Sequence, residues 1–290
     1  MTDSISKSID GQQEILPVCH ETRQTGAFTE PLRFASGYAD VLGVRISVVD
    51  MNLAVNRSDQ WIANGDPGYA CVTGVHGVME AQSDPGFLRI LNHAAINTPD
   101  GMPMVWVGWL QGHQIMDRVY GPDFMAAMCQ LSVERGYRNF FYGGKPGVAE
   151  LLSKSLQSKF PGLQVVGTYT PPFRALNPEE EEELVAQVHR SSPHILWVGL
   201  GTPKQERFMA HYFRQLQVPL LVGVGAAFDF HTGRLHESSN WVKRAGLQWM
   251  HRLMQDPKRL WRRYLRSNPA FLWHIALQFS GLRHYPSEQR

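Results

Sequence analysis

The chain has 290 residues, of which 43% are hydrophobic and 19% are charged, and its formal net charge is only +2. This balance excludes a disordered protein, and the length is sufficient for one substantial core with a small appendage. The three cysteines, Cys19, Cys71 and Cys129, lie far apart, which argues against a disulfide framework or a zinc site and fits a reducing cytoplasm.

Strand-like and helix-like segments alternate through most of the chain. Residues 1–36 are polar and have no sustained period, so we expect a flexible leader there. The elements predicted after it are, in chain order, strand 41–49, helix 51–64, strand 69–73, helix 76–93, strand 94–98, helices 101–111 and 121–136, strand 138–142, helix 147–158, strand 163–168, helix 178–190, strand 194–199, helix 203–216 and strand 219–224. This alternation predicts an α/β domain over 37–240, with a Rossmann-like, mostly parallel sheet flanked by helices.

The alternation ends near residue 240, where a basic, tryptophan-rich segment begins. Residues 241–290 carry ten Lys and Arg and two acidic residues, a balance of +8, whereas the preceding 240 residues have a balance of −6. We expect two or three helices here, broken near 256–257 and 268–269. This basic helical appendage can face an anionic membrane as a lid, bind nucleic acid, or pack on the domain as a flap with a solvated basic face.

No signal peptide is expected at the polar N-terminus, and no uninterrupted apolar stretch approaches the ~20 residues that a membrane span requires. The sequence therefore predicts a protein that is soluble or at most peripheral to a membrane. The apolar helix faces also make a homo-oligomer a plausible arrangement.

Two glycine-bearing turns, each between an apolar strand and a helix, are the most informative local feature. Glycine allows a sharp backbone turn, and the free N–H groups of the following helix favour phosphate. Ligands of parallel sheets bind beyond the carboxyl ends of the strands, where both turns are expected. Together the turns predict a site for a diphosphate-containing ligand, and the alternative is that they are ordinary strand-to-helix connections. The residues concerned are Gly143, Gly144, Lys145, Gly201, Thr202 and Lys204.

Two aspartates also follow predicted strands. Asp100, between Pro99 and Gly101, is well placed to be a general base, although the local pattern alone favours a cap for the next helix. Asp229 lies in an apolar setting, where its carboxylate needs donors from a ligand or from the surrounding loop. Both residues are therefore candidates for the site.

Polar residues at the starts of two helices complete the candidates. Arg118 precedes a helix and can pair with phosphate in a bidentate manner, unless it is a plain surface arginine. Gln205, in the first turn of another helix, offers a donor and an acceptor to a ligand. There is no Asp-x-Asp motif, and the twelve histidines show no metal-ligand spacing, so we expect chemistry without a metal or another cofactor.

Five motifs in order give the chain its resemblance to a known family. They are Thr98-Pro-Asp-Gly-Met, Arg118-Val-Tyr-Gly-Pro-Asp, Gly143-Gly-Lys-Pro-Gly-Val-Ala-Glu, Gly199-Leu-Gly-Thr-Pro-Lys-Gln-Glu and Gly223-Val-Gly-Ala-Ala-Phe-Asp. In this order and spacing, the chain resembles the WecG/TagA/CpsF family of bacterial glycosyltransferases from about residue 41 to 264.

The resemblance implies an inverting, metal-independent transfer of a sugar from a UDP-sugar to a polyprenyl-diphosphate-linked saccharide. The reaction would occur peripherally at the cytoplasmic face of the cell membrane, in the biosynthesis of cell-surface polysaccharide or exopolysaccharide. The resemblance also implies roles for particular residues: Asp100 as general base, Thr73, Arg118, Gln205 and Asp229 in the nucleotide-sugar pocket, and Arg263 and Arg266 at a diphosphate.

One position departs from the family pattern. Where the family often has Thr-x-Asn, this chain has Thr73, Gly74 and Val75, followed by His76. A donor contact is therefore lost or transferred to His76, so the departure leaves the donor sugar open. The resemblance implies N-acetylmannosamine, its uronic acid or glucose as the donor sugar.

Three other functions compete with the transferase. A dinucleotide-dependent oxidoreductase is disfavoured because no Gly-x-Gly-x-x-Gly follows the first strand. A membrane-associated nucleotide-binding regulatory module would bind the nucleotide without turnover. A nucleic-acid-binding protein would show salt-sensitive binding that depends on the appendage, and we expect no nucleic-acid partner.

Overall fold

Short apolar strands that are buried on both faces form the centre of the molecule. The computed structural model describes residues 37–287, so the predicted leader over 1–36 lies outside the described residues. The strands are β1 (Tyr38–Val41), β2 (Val44–Ser47), β3 (Gly68–Thr73), β4 (Ile96–Pro99), β5 (Arg138–Gly143), β6 (Gln164–Tyr169), β7 (Ile195–Gly199) and β8 (Leu220–Gly223). Strands β3 to β8 form one parallel sheet in the order β4-β3-β8-β7-β5-β6.

Helices cover both faces of this sheet and produce three layers. The helices are α1 (Met51–Asn64), α2 (Val75–Ser83), α3 (Pro85–His93), α4 (Met102–Leu110), α5 (Gly121–Arg135), α6 (Val148–Lys159), α7 (Pro178–Ser191), α8 (Lys204–Leu216), α9 (Ala227–His231), α10 (Asn240–Arg244), α11 (Gln248–Gln255) and α12 (Pro257–Phe279). One core contains apolar side chains of α2, α3, α7 and α8, and the other contains those of α1, α5, α6 and α9. The predicted Rossmann-like α/β fold is confirmed.

The single strand predicted over 41–49 is wrong. The segment forms an antiparallel hairpin of β1 and β2, separate from the main sheet. Leu42 and Gly43 both have positive φ, of 54° and 83°, and the Asp40 carboxylate accepts a hydrogen bond from the Gly43 N–H at 2.7 Å. Two consecutive left-handed residues make the tight turn that suits a two-residue hairpin.

Two predicted helix boundaries are also wrong. The helix predicted over 76–93 is two helices, because Pro85 begins α3 and the Asp84 carboxylate caps it by accepting from the Phe87 N–H. In contrast, α12 continues through Pro269, where a break was expected. Leu260 and Phe271 are buried on either side of that proline, so packing of both halves outweighs one lost backbone hydrogen bond.

The appendage, α10 to α12, is fixed to the α/β domain at both of its ends. At one end, Gln278 of α12 accepts from the Leu42 N–H at 3.1 Å and donates to the Asp40 carbonyl at 3.0 Å. At the other end, Gln248 of α11 accepts from Arg118 at 2.7 Å. Within residues 37–287, none of the helices combines the length and apolar character needed to cross a membrane. The appendage therefore has a defined seat beside the carboxyl ends of the strands.

Candidate active site

Asp100 is held at the carboxyl edge of the sheet by two adjoining strand ends. It follows β4 directly, and its N–H donates to the carbonyl of Thr73 at the end of β3, at 2.9 Å. A methyl group on Gly74 would lie 2.8 Å from the Asp100 carbonyl oxygen, so only glycine allows the two loops to approach so closely. The residue that caps α4 is Gly101, with no side-chain hydrogen bond, so the Asp100 carboxylate is not used as a helix cap.

Burial makes Asp100 a stronger base than an ordinary aspartate. Loss of hydration raises its pKa from 3.8 to about 6, because a buried carboxylate is harder to ionise. The nearby positive charges of Arg118 and Arg252 oppose this rise, and the negative charge of Asp123 adds to it. At neutral pH, the carboxylate is therefore ionised but has an appreciable affinity for a proton, as a general base requires.

Arg118 connects the α/β domain to the appendage. Its guanidinium donates to the side chain of Gln248 at 2.7 Å and forms an ion pair with Asp123 at 3.3 Å. It also lies 4.7 Å from the centre of the Tyr120 ring, in a cation–π arrangement. With only 12% of its side chain exposed, Arg118 is not a plain surface arginine.

The appendage contributes a second cation, Arg252 of α11, to the surroundings of Asp100. The Arg252 guanidinium lies 6.0 Å from the centre of the Phe230 ring, and its charge acts on both Asp100 and Tyr264. The sequence did not single out Arg252, because it is one of many basic residues in the segment. The packing of α11 against the domain brings the Arg252 charge close enough to act on the Asp100 carboxylate.

His76, in the first turn of α2, lies near Arg263 of α12. Burial and the charge of Arg263 lower the pKa of the His76 ring to about 4, so the ring is neutral at physiological pH. It forms a hydrogen bond with the backbone of Thr202, which joins α2 to the turn after β7. Val75, in the position of the missing asparagine, packs against the apolar core.

The two glycine turns lie side by side, as their predicted role requires. The Gly144 N–H donates to the Gly199 carbonyl at 3.1 Å, so the turn after β5 touches the turn after β7. Gly143 has a φ of +118°, and a side chain there would lie 2.7 Å from the Gly199 carbonyl oxygen. Lys145 and Lys204 are exposed at the outer rim of these turns.

The side chains of Gln205 and Glu206 hold the turn between β7 and α8 in place. The Gln205 side chain accepts from the Gly201 N–H at 3.1 Å and donates to Glu206 at 3.0 Å. The same Glu206 oxygen accepts from the Thr202 hydroxyl at 2.8 Å. Gln205 is thus buried and engaged in holding the turn, and this arrangement fixes the backbone N–H groups around Gly201.

Several buried polar atoms around this edge have no hydrogen-bond partner within residues 37–287. They are the Thr73 hydroxyl, the Tyr120 hydroxyl, the Gln248 amide nitrogen and one Glu206 oxygen. Buried polar groups are nearly always paired in folded proteins. These four atoms can therefore form hydrogen bonds with a polar ligand at this edge.

The model of the glycosyl transferase WecG/TagA/CpsF family matches residues 39–285. The chain belongs to this family. Among curated relatives, an N-acetylglucosaminyldiphosphoundecaprenol N-acetyl-β-D-mannosaminyltransferase from Bacillus spizizenii strain W23 is 30% identical over 186 residues, or 64% of this chain and 70% of the relative. A protein of the same description from Bacillus subtilis strain 168 is 27% identical, with the same coverage.

As a WecG/TagA/CpsF protein, the chain is a glycosyltransferase and more narrowly a hexosyltransferase. This identity displaces the oxidoreductase and the non-enzymatic regulatory module that the sequence left open. The five motifs that carry the resemblance all lie within the matched range.

The structure brings together some of the site residues predicted for this WecG/TagA/CpsF enzyme and leaves others at the periphery. Asp100 adjoins Thr73 and is influenced by the charge of Arg118. His76 is influenced by the charge of Arg263. Asp229 is partly buried in the short helix α9, next to Phe230, and Arg266 is exposed one turn beyond Arg263. The residues that sequence reasoning missed are Arg252, Tyr120, Gln248 and Tyr264. Tyr120 lies inside a quoted motif and was recognisable in principle, whereas the other three belong to the appendage.

The described residues, 37–287, contain no group of three or more His, Cys, Asp or Glu side chains that is arranged to hold a metal ion. The positive charge at the site comes from arginines. Arg118 is provided by the loop before α5, Arg252 by α11 and Arg263 by α12.

Proposed function

We propose that this enzyme transfers a sugar from a UDP-sugar to a polyprenyl-diphosphate-linked saccharide, with inversion and without a metal ion. The observation that carries the proposal is the position of Asp100, a partly buried carboxylate with a raised pKa that faces arginines of both the domain and the appendage. A base next to cations is what an acceptor hydroxyl and a departing diphosphate require.

In the proposed reaction, Asp100 removes the proton of the acceptor hydroxyl as its oxygen attacks the anomeric carbon of the donor. The new carbon–oxygen bond forms on the face opposite the bond to UDP, which breaks with its electron pair going to the diphosphate. The configuration at the anomeric carbon is therefore inverted. Arg118, Arg252 and Arg263 stabilise the charge that develops on the leaving diphosphate, in a site where low hydration strengthens each interaction.

The two glycine turns are the proposed seat of the nucleotide. They adjoin each other at the hydrogen bond between Gly144 and Gly199, and each leads into a helix. The Gly144 and Gly201 N–H groups already donate within the protein, to the Gly199 carbonyl and to the Gln205 side chain. Other backbone N–H groups at the starts of α6 and α8 are proposed to donate to phosphate oxygens, and the exposed Lys145 and Lys204 add positive charge at the rim. Asp229 is proposed to bind the nucleotide from α9.

For the donor sugar, N-acetylmannosamine is the first candidate, because the two Bacillus relatives are described as transferring it. Its uronic acid and glucose are the other two. His76 is the residue proposed to contact the sugar in place of the missing asparagine. The His76 ring is neutral, and one of its nitrogens forms a hydrogen bond with the backbone of Thr202. The other ring nitrogen can therefore accept a hydrogen bond from a sugar hydroxyl.

The proposed location is the cytoplasmic face of the cell membrane, where a polyprenyl-linked acceptor would be found. The appendage presents exposed Trp241, Met254, Leu265, Leu272 and Trp273 among its basic residues. Tryptophan and leucine beside lysine and arginine favour attachment to an anionic membrane surface without a span. The pathway served would be the synthesis of cell-surface polysaccharide.

The proposal is tested by measuring UDP release from a panel of UDP-sugars, with and without a polyprenyl-diphosphate-linked N-acetylglucosamine acceptor. We expect acceptor-dependent release with one of the three donors and no loss of rate in excess EDTA, because arginines supply the positive charge. A rate that disappears in EDTA and returns with a divalent metal would overturn the metal-independent mechanism. Absence of both release and UDP binding would contradict the proposed donor class.

The pH dependence of the reaction should report the ionisation of Asp100. Because the base must be unprotonated, kcat/KM is expected to fall about tenfold per pH unit below the Asp100 pKa of about 6 and to level off above it. If the base were an aspartate with an ordinary pKa, kcat/KM would begin to fall only below about pH 4. A profile that is flat from pH 5 to 7 would contradict the assignment of Asp100 as the base.

A further inference from the structure

The solvent-facing side of α4 is apolar along its length. The helix begins two residues after Asp100 and has the sequence Met-Pro-Met-Val-Trp-Val-Gly-Trp-Leu. Met104, Val105 and Val107 are buried, whereas Trp106, Trp109 and Leu110 are exposed at a spacing of three and four residues. A helix on a protein surface normally presents polar residues to water, so an apolar face of this kind is typical of a binding surface.

This apolar stripe, defined as Trp106, Trp109, Leu110 and the following Ile115, is highly accessible at its outer end. Leu110 is 70% exposed and Ile115 is 57% exposed. Trp109 is held in place by a hydrogen bond from its ring N–H to the Met116 carbonyl at 2.8 Å. The Trp109 ring is therefore fixed in orientation at the centre of the stripe.

The inner end of the apolar stripe adjoins the cationic part of the active site. A Cβ atom on Gly246 would lie 2.7 Å from the Trp106 ring, so the loop between α10 and α11 packs directly on Trp106. Gln248, which bonds Arg118, and Arg252, which acts on Asp100, follow in the same segment. The loop thus connects positive charge at the reaction centre to an apolar surface that leads away from it.

We infer that the apolar stripe binds the first isoprene units of the polyprenyl chain of the acceptor. The inference rests on the proposed function, because it requires a lipid-linked acceptor at Asp100. An acceptor of this class is a saccharide, then a diphosphate, then an apolar chain. The structure presents a base, arginines whose charge acts on that base, and an apolar stripe on the helix that begins two residues after it. The nine residues of α4 extend about 13 Å from the Asp100 end, which leaves room for the polar part before the chain reaches Leu110.

The test compares two acceptors that carry the active saccharide diphosphate, one with a farnesyl chain and one with a methyl group, in buffer without detergent or vesicles. The wild-type enzyme should prefer the farnesyl acceptor in kcat/KM by about tenfold or more, because burial of several methylene groups is favourable. In the double variant Leu110→Gln, Ile115→Gln, the farnesyl-to-methyl ratio of kcat/KM should fall about tenfold, because the chain loses its apolar partners.

The matched control is Phe173→Gln, which removes an equally exposed apolar side chain from the loop between β6 and α7 and should leave the ratio unchanged. A wild-type enzyme that uses both acceptors equally would overturn the inference while leaving the proposed function intact. Turnover of neither acceptor would overturn the proposed function and this inference with it.

Two further measurements separate the isoprenoid from other occupants of the stripe. Binding to anionic vesicles that lack acceptor should weaken in Leu272→Gln, Leu282→Gln but not in the Leu110, Ile115 variant. If the latter variant lost vesicle binding and kept its chain-length ratio, the stripe would be a membrane contact instead. If it dissociated an oligomer, measured by light scattering, and kept that ratio, the stripe would be an interface between copies.

Discussion

Replacing Asp100 with asparagine is expected to lower kcat by about 10³-fold while leaving the binding of UDP in place. Asparagine keeps the size of the side chain but cannot take the proton of the acceptor hydroxyl. The carboxylate lies beside the end of β3 and is not the cap of α4, so the substitution removes a base without removing a helix cap. Steady-state UDP release and direct titration with UDP measure the two effects.

The same substitution should make the protein more stable at neutral pH. The folded-state pKa of Asp100, about 6, is above the ordinary aspartate value of 3.8, so the folded state binds more protons than the unfolded state between these two pH values. Stability is therefore lost as the pH rises through this window, and the full cost, up to about 3 kcal/mol, is present above it. Asp100→Asn should raise the free energy of unfolding at pH 7 and change it little at pH 4.

This pairing of lost activity with gained stability distinguishes a missing base from a damaged fold. Asp66→Asn is the matched control, because Asp66 is an exposed aspartate that precedes β3 at the opposite edge of the sheet. It should alter neither kcat nor the dependence of stability on pH. An active Asp100→Asn enzyme would show that another group accepts the proton, and an inactive, destabilised one would leave the base unassigned to Asp100.

Replacing Arg252 with glutamine should lower kcat/KM by about 10²-fold, because one of the cations proposed to stabilise the departing diphosphate is removed. A second signature follows from its position near Asp100. The Arg252 charge lowers the pKa of Asp100, so without that charge the acid limb of the pH–rate profile should move to higher pH. Steady-state kinetics measured from pH 5 to 8 test both effects at once.

Arg283→Gln is the control for Arg252. Arg283 follows α12 in the same basic C-terminal segment but packs on Tyr285, near the hairpin of β1 and β2. It should change neither the rate nor the position of the limb. If Arg252→Gln lowered the rate without moving the limb, its role would be to hold the appendage in place rather than to share the electrostatic field of Asp100.

The dependence on Arg252 has a wider consequence for how the enzyme works. In the proposed mechanism, the α/β domain provides the base and one arginine, whereas the appendage provides Arg252 and Arg263, so we expect full activity only when the appendage is seated. If the appendage also contacts the membrane as proposed, seating and membrane attachment involve the same helices. The enzyme would then be most active where its lipid-linked acceptor is located.

Sequence patterns were sufficient for the central sheet and for the loops that carry the site. The predicted loops after β3, β4, β5, β7 and β8 are the ones that meet at the carboxyl edge. Asp50 caps α1 as expected, accepting from the Leu53 N–H at 2.7 Å. These features depend on residues that are neighbours in the chain, where apolar periodicity, glycine and capping residues act locally.

The turn within 41–49, the break before Pro85 and the continuity of α12 through Pro269 were not predicted correctly. In the last two cases proline has opposite effects on helix continuity: a new helix begins at Pro85, whereas α12 continues through Pro269. At Pro85 the Asp84 cap stabilises a new helix, whereas at Pro269 the burial of Leu260 and Phe271 maintains the existing one. Local propensity is a weak prior when side chains on both sides of a position are buried by tertiary packing.

The sequence by itself determined the fold class, the family and the place of Asp100 at a strand end, because each depends on patterns of residues that are close together in the chain. Only the tertiary structure decided which arginine of the basic segment faces Asp100. It also decided that Gln205 supports a turn and that the apolar side of α4 leads away from the base. These features arise from contacts between distant segments, such as Arg118 with Gln248. The free energies of such contacts depend on how whole elements pack, which no short sequence pattern contains.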